Sequence, residues 1–296
     1  ATSLAPGALV AWQVPPDKLD AAFDWMNSND PFTGHVVIRS TDQQTQGSQY
    51  RLWTTLKVPV GYDMPAHADL LKQRVGALDY KLLPARKVFA LGVGHVRRRD
   101  LEPGARSDEP GRVLDVAVAK LDERDWRVLL ALKREFSPEE LSLNLWQPRA
   151  EEAGESLDEF CQVAESLNQR RVIGRFSTFL EHVKKNADGQ AVTRYNALFH
   201  WAVPPGLEVD AGREVGRHLI MTHAYWREGG PTFGGVNIMG VAHGTDKDFV
   251  LAHKAAIDRH LEEAGIAVNY TNVFWGGRSE IKPSEISPIA YRQWLE

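Results

Sequence analysis

The sequence predicts an α+β protein made of two β-α-β-β-α-β halves with antiparallel sheets, joined by a helical segment. Three observations carry this reading. First, Ala8-Leu-Val-Ala-Trp-Gln-Val-Pro-Pro16 returns as Ala197-Leu-Phe-His-Trp-Ala-Val-Pro-Pro205, and each copy runs into a segment of helical periodicity. A repeated structural unit of this kind is the mark of an internal duplication. Second, apolar residues in both flanks switch between a period of two and a period near 3.6 in the same order. Third, residues 122–190 carry helical patterning only. The expected organisation is an N-terminal half over 1–121, a helical bridge over 122–190 and a C-terminal half over 191–296.

Residues 8–14 read as a strand, with Val10, Trp12 and Val14 on one face and Leu9, Ala11 and Gln13 on the other. Pro15 and Pro16 end it, because proline has no amide hydrogen for the ladder. A helix over 17–27 follows, with Leu19, Ala22, Phe23 and Met26 on one stripe and acidic residues at its positive end. Strands are expected at His35–Ser40 and Gln49–Val58, then a helix over 65–77 that stops near Gly76. Lys87–Arg98 reads as a long strand and Val113–Leu121 as its partner, across a loop holding Pro103 and Pro110. This is the ferredoxin-like order with one strand added.

In the bridge, three amphipathic stretches are expected: Trp126 to Phe136, Leu157 to Leu167, and Phe176 to Val183. The second half repeats the order. It runs through a strand over 191–203, a helix over 207–218, a hairpin of His218–Trp226 and Phe233–His243, a helix ending at Gly265, and a strand at Ile266–Trp275. Thr245-Asp-Lys-Asp248 has capping-box spacing at the start of that last helix.

Composition narrows the function. The chain is 43% hydrophobic and 25% charged, as globular proteins are. It has no apolar run near the roughly 20 residues that span a bilayer. With no leader-like start and a single cysteine, Cys161, the sequence fits a cytoplasmic protein without disulfides. The net charge of −4 gives no global attraction to phosphate backbones or membranes. No metal motif is present. His253 and His260 sit seven residues apart on one helix, about 10.5 Å at the helical rise, too far to share an ion. Gly92-Val-Gly-His lacks the third glycine and the helix of a dinucleotide loop.

The candidate chemistry lies with histidine. His200 stands where the first repeat has Ala11, on the strand face shared by Arg194 and Asn196. His243 ends a neighbouring strand, and Asp246 follows three residues on. Imidazole on a sheet face suits general acid–base work, so His200, His243 and Asp246 are the expected catalytic group. A hydrogen-bonded core histidine is the ordinary alternative. In the first half His35, Val37 and Arg39 share one face, and Trp53 lies on the next strand with Arg51 and Thr55. Arginine beside tryptophan can grip a carboxylate or stack a planar ligand, which makes His35, Arg39, Trp53, Arg194 and Asn196 the expected binding residues. A solvated sheet face is the alternative. Tyr195, Tyr270, His95 and Arg97 could extend the patch.

The opening Ala197-Leu-Phe-His-Trp-Ala-Val-Pro-Pro-Gly206 resembles the start of the dimeric α+β-barrel superfamily, whose first strand commonly ends in a Lys/Val-x-Pro-Gly turn. The resemblance covers about twenty residues in each half, and its motif is short and unspecific. It implies a small-molecule enzyme with a sheet-lined pocket. Members include cofactor-free monooxygenases, cyclases, isomerases and haem enzymes, so the cofactor stays open and no catalytic residue is carried over. Tandem ferredoxin-like units also resemble the repeat-associated RNA-binding proteins of CRISPR systems. That resemblance implies RNA binding or processing, with Trp12 and Trp53 stacking bases and Arg97–Arg99 and Arg170-Arg171 holding phosphates. The acidic balance and the lack of a glycine-rich C-terminal loop favour the enzyme. A third reading makes the helical bridge a docking surface for a partner protein.

Overall fold

The computed structural model describes residues 4–91, 101–115, 118–134, 136–173 and 195–296. The first half runs Gly7–Gln13 (β1), Leu19–Asn29 (α1), Thr33–Ser40 (β2), Leu52–Lys57 (β3), Met64–Val75 (α2) and Asp79–Pro84 (β4). Lys87–Leu91 (β5) and the short Leu114–Asp115 (β6) follow, then the bridge helices Glu123–Lys133 (α3), Gln147–Ala153 (α4) and Leu157–Gln169 (α5). The second half runs Tyr195–Ala202 (β7), Glu208–Arg217 (α6), Met221–Gly230 (β8), Val236–Gly244 (β9), Lys247–Glu263 (α7) and Tyr270–Ile281 (β10), with Pro288–Leu295 (α8) at the end.

The strands form one sheet in the order β4-β1-β3-β2-β10-β7-β9-β8-β5-β6. Each half has the ferredoxin-like order, and the two halves exchange their last strands. β10 pairs with β7 over Tyr270–Gly276 and then crosses onto β2 over Trp275–Ile281. Residues 79–91 do the same in the first half: β4 lies on β1, and after the break at Ala85-Arg86 β5 lies on β8. The sheet therefore rolls into a barrel, which removes the exposed edges an open sheet would leave.

Alternation along the strands gives the barrel two apolar layers. Val10, Trp12 and Val14 face outward and pack with Phe23, Met26 and Leu71 of α1 and α2. Phe199, Trp201 and Val203 do the same with Val215, Ile257 and Leu261 of α6 and α7. Trp12 and Trp201 are both fully buried. Ala11, Val37, Trp53, Leu83, Leu198, Phe233, Met239 and Phe274 face inward and fill part of the interior.

Several elements depart from the sequence-based expectation. The fourth strand of the first half begins at Asp79, not Lys87. Its charged start and Pro84 at its end hide it, and its outward face is only partly covered. The long strand expected to Arg98 is β5, described as far as Leu91. Within its expected partner over Val113–Leu121, the strand found among the described residues is Leu114–Asp115, which pairs with Val88 and Lys87. β8 continues past Trp226 to Gly230. The cap of α7 is Asp246, whose carboxylate accepts the Phe249 amide, rather than Thr245. The third bridge stretch, Phe176–Val183, lies outside the described residues.

Gly212 in α6 has a local cause. A Cβ there would run into the Phe89 ring, so its absence lets β5 lie against the helix. The bridge has its own core of Trp126, Leu129, Ala150, Phe160 and Leu167, closed by Leu4, Ala5 and Ile286. α8 returns to the first half, where Tyr291 joins the core. No helix among the described residues is long and apolar enough to cross a membrane.

Candidate functional site

Part of the barrel interior is left open as a cavity of about 380 Å³. Inward-facing residues of several strands line it. His35, Val37 and Arg39 come from β2, Trp53 and Thr55 from β3, and Tyr195, Asn196 and Leu198 from β7. His223, Tyr225 and Arg227 of β8, Met239, Val241 and His243 of β9, and Gly276 and Ser279 of β10 complete it. One row crosses four strands: Arg39 pairs with Gly276, Gly276 with Asn196, and Asn196 with His243. Gly276 contributes no side chain, which leaves room for Arg39 Nη2 to donate to Asn196 Oδ1 at 3.2 Å.

Three histidines reach the cavity with different partners. His35 Nε2 lies 2.8 Å from Ser279 Oγ. The His223 ring stacks on Tyr225 with planes 15° apart, and its Nδ1 is 3.1 Å from Thr222 Oγ1. That hydroxyl donates to the Val241 carbonyl at 3.0 Å and lies 3.4 Å from His243 Nδ1. Thr222 thus stands between two imidazoles. A hydroxyl with both lone pairs available can accept from either ring.

Arg39 and Arg227 are related by the internal repeat. Trp12 pairs with Leu52 and Leu52 with Ile38; Trp201 pairs with Ile238 and Ile238 with Trp226. Ile38 and Trp226 are therefore equivalent, and so are Arg39 and Arg227, and His35 and His223. The anchoring repeats as well. Arg39 Nη1 donates to the Phe274 carbonyl at 3.2 Å, and Arg227 Nη1 donates to the Leu83 carbonyl. Phe274 and Leu83 hold equivalent places, opposite Leu198 and Leu9.

Both guanidiniums are buried, at 4% and 9% exposure. Burial pulls Arg39 down to about 9 and Arg227 to about 10, which leaves both cationic at neutral pH. Neither has a carboxylate partner among the described residues, and Arg39 Nε has no hydrogen-bond acceptor there. Arg227 sits 4.4 Å over the Tyr225 ring. Buried cations are normally paired, so two beside one cavity make it a place for anions.

The structure brings His35, Arg39, Trp53, Asn196 and His243 together at this cavity. His200 is not among the lining residues. It lies deeper, 1% exposed, against Trp53, Phe233 and Phe274. Asp246 caps α7 instead of meeting His243, and Arg194, His95 and Arg97 lie outside the described residues. His223, Tyr225 and Arg227 were missed. The expected hairpin ended at Trp226 and put Arg227 in its turn. The available signal was His35-Val-Val-Ile-Arg39 returning as His223-Ala-Tyr-Trp-Arg227 on the equivalent strand. Trp12 and Trp53 are wholly buried and offer no platform for stacking bases. Among the described residues no three His, Cys, Asp or Glu side chains converge as a metal site.

The model for the AsnC-like ligand binding domain matches residues 5–90, from β1 to β5. Two solved structures follow nearly the whole chain. The siroheme decarboxylase NirDL aligns with a TM-score of 0.66 and 20% identity, over 98% of this chain and 77% of its own. The same enzyme in co-complex with an iron-uroporphyrin III analogue gives 0.67 and 18%, over 98% and 78%. The shared feature is the fold. No curated protein matches the chain.

Proposed function

We propose that the barrel cavity binds a planar, carboxylate-bearing small molecule of the tetrapyrrole class and removes carbon dioxide from it by acid–base chemistry. The observation that carries this reading is the pair of buried guanidiniums without acid partners, in one cavity with His35, His223 and His243. Their cavity is walled elsewhere by Val37, Leu198, Met239 and Val241, which suits a broad apolar ring. The choice of reaction class is supported by the likeness in fold to NirDL, a siroheme decarboxylase.

In this reading the arginines hold carboxylates that do not react. An ion pair stabilises a carboxylate, so the reacting one belongs against Leu198 and Val241, where loss of hydration favours its departure as neutral carbon dioxide. The carbon–carbon bond breaks, the electron pair passes to the ring-bearing carbon, and a proton must follow. His223 and His243, joined through Thr222, supply that proton. The exchange is redox-neutral, and each turnover takes one proton from solvent.

Titration of the purified chain with iron-uroporphyrin III, followed by visible absorbance, tests binding. Incubation with carboxylated tetrapyrroles and mass spectrometry of the product tests turnover. Binding that weakens about tenfold or more in Arg39→Gln is expected, as for loss of a buried charged hydrogen bond. No absorbance change at any concentration would end the proposal.

A further inference from the structure

We infer that residues 101–111 form an acid-released strap, seated on α6 and α7 only while three histidines beneath it, His218, His253 and His260, stay neutral. The inference goes beyond the reading of the cavity and does not depend on it. The strap lies against the C-terminal end of α6. The Ser107 amide donates to the Arg217 carbonyl at 3.0 Å, the Leu219 amide to the Ala105 carbonyl at 3.0 Å and the Gly111 amide to the Arg213 carbonyl at 2.9 Å. The Arg217 side chain turns back to donate to the Ser107 and Asp108 carbonyls.

The three histidines are buried and make the seat sensitive to protons. His253 Nε2 lies 3.3 Å from the Leu101 carbonyl and donates to it, and its Nδ1 has no partner among the described residues. His260 accepts from Arg106 Nη1 of the strap through Nδ1 and donates to Glu214 through Nε2 at 2.6 Å. A ring used in this way is neutral, because a proton on Nδ1 would displace the Arg106 hydrogen bond and set two cations together. The His218 ring centroid is 5.1 Å from that of His260, and neither His218 nitrogen has a partner among the described residues. Arg106 and Glu102 face this cluster from the strap, Glu214 and Arg217 from α6, and His253 and His260 from α7. Glu214 already accepts from Arg217 and His260, so a proton added to His218 meets the Arg106 charge with no free acid to offset it. Burial holds His218 down to about 4, with repulsion from His260, Arg106 and His253 behind it, and burial lowers His253 as well. Lifting the strap returns these rings to water, where histidine titrates near 6.5. The seated state is therefore fully favoured above pH 6.5 and progressively less so as pH falls toward 4. Release also frees the Leu219 amide, three residues before Thr222, and so loosens the start of β8.

Amide hydrogen exchange of the full chain at pH 7 and pH 5, read by mass spectrometry and corrected for the intrinsic exchange rate, tests the strap. Protection in 101–111 and 219–222 should fall about tenfold or more at pH 5, as one histidine titrating across that window allows, while β7 and β9 keep theirs. Two variants tie the fall to the cluster. Arg106→Gln keeps a donor for His260 without the charge, and His218→Leu removes the central imidazole. Each should cut the fall by about threefold or more, since less repulsion meets the added proton. Arg106 is exposed, so its variant answers alone if His218→Leu does not fold by circular dichroism. Equal protection of the strap at both pH values overturns the inference. So does an equal loss in β7 and β9, which is global unfolding, and so does a fall that is unchanged in a folded variant.

Discussion

His200 and Ala11 occupy the same register position in the two halves, facing Met239 and Trp53 across their respective strand pairs. The second half thus carries an imidazole inside the barrel where the first has a methyl group. Its ring packs 4.9 Å from Phe274 and 6.0 Å from Trp53, and Nε2 has no hydrogen-bond partner among the described residues. Burial, with Arg39 and Lys254 adding repulsion, pulls its pKa down to about 3.

The sign of the pH dependence follows. In the unfolded chain this histidine titrates near 6.5, so between about 6.5 and 3 the unfolded state binds a proton that the folded state excludes. Its contribution is complete above 6.5 and falls as pH drops, by up to about 1.4 kcal/mol per pH unit. His218, lowered to about 4 by burial and by His260, adds a similar slope. Urea unfolding of the unaltered chain and of His200→Leu between pH 7 and 4.5 isolates the first contribution. The variant should lose distinctly less stability over that range. Parallel curves would show that His200 is not excluded from protonation.

Asp246 was placed near His243 by sequence proximity, but its carboxylate accepts the Phe249 amide at 3.0 Å and caps α7. Asp246→Ala should cost about 1 kcal/mol, as the loss of a helix N-cap does. Porphyrin affinity should stay within about twofold, a change of under roughly 0.5 kcal/mol. A large affinity loss at unchanged stability would return Asp246 to the site.

A buried polar set ties α8 to the first half. His67 Nδ1 lies 2.9 Å from the Tyr291 hydroxyl, and His67 Nε2 is 3.4 Å from Asp30 Oδ1. Asp30 accepts hydrogen bonds from the Phe32 amide and the Thr33 hydroxyl. Tyr291→Phe keeps the ring packing on Phe32 and Tyr62 and removes one hydrogen bond. About 1–2 kcal/mol should be lost, since the His67 nitrogen is left buried without that partner. Amide exchange in 288–295 should speed up first. Unchanged exchange there would mean that the apolar contacts alone hold the helix.

The duplication was legible because it rests on Trp12 and Trp201 with their Pro-Pro stops, local features that survive in the chain as letters. Strand faces were legible for the same reason: Asn196 and His243, and His35 and Arg39, share the inner face by parity alone. Asp79–Pro84 was not legible, because neither its charge pattern nor Pro84 marks a strand. Its place is fixed by pairing with β1, a contact between distant parts of the chain. The exchange of β5 and β10 between halves is equally non-local. It decides that His200 is sealed under aromatic rings while His223 and Arg227, read as hairpin residues, reach the cavity. Period-two patterning names a face; it does not say where along the barrel axis that face is covered.

Gly276 lies between Arg39 and Asn196 in the row that crosses the site. A Cβ at this position would come within 3.2 Å of Asn196 Cβ and 3.3 Å of its Cγ. These are short contacts, and the Asn196 side chain would have to give way. Arg39 Nη2 donates to the Oδ1 of that same side chain, so the displacement should be felt as a shift of the guanidinium. Gly276→Ala should therefore weaken binding of iron-uroporphyrin III by about tenfold, or 1.4 kcal/mol. The cost in stability should be about 1–3 kcal/mol, the range for overpacking. Asn196→Ala combined with Gly276→Ala separates the two effects. It removes the Cγ contact but keeps Cβ at 3.2 Å and the carbonyl oxygen at 3.3 Å, and it leaves Arg39 without its side-chain acceptor, so stability should recover in part and affinity should not. Recovery of both would show that Asn196 has no part in holding the arginine.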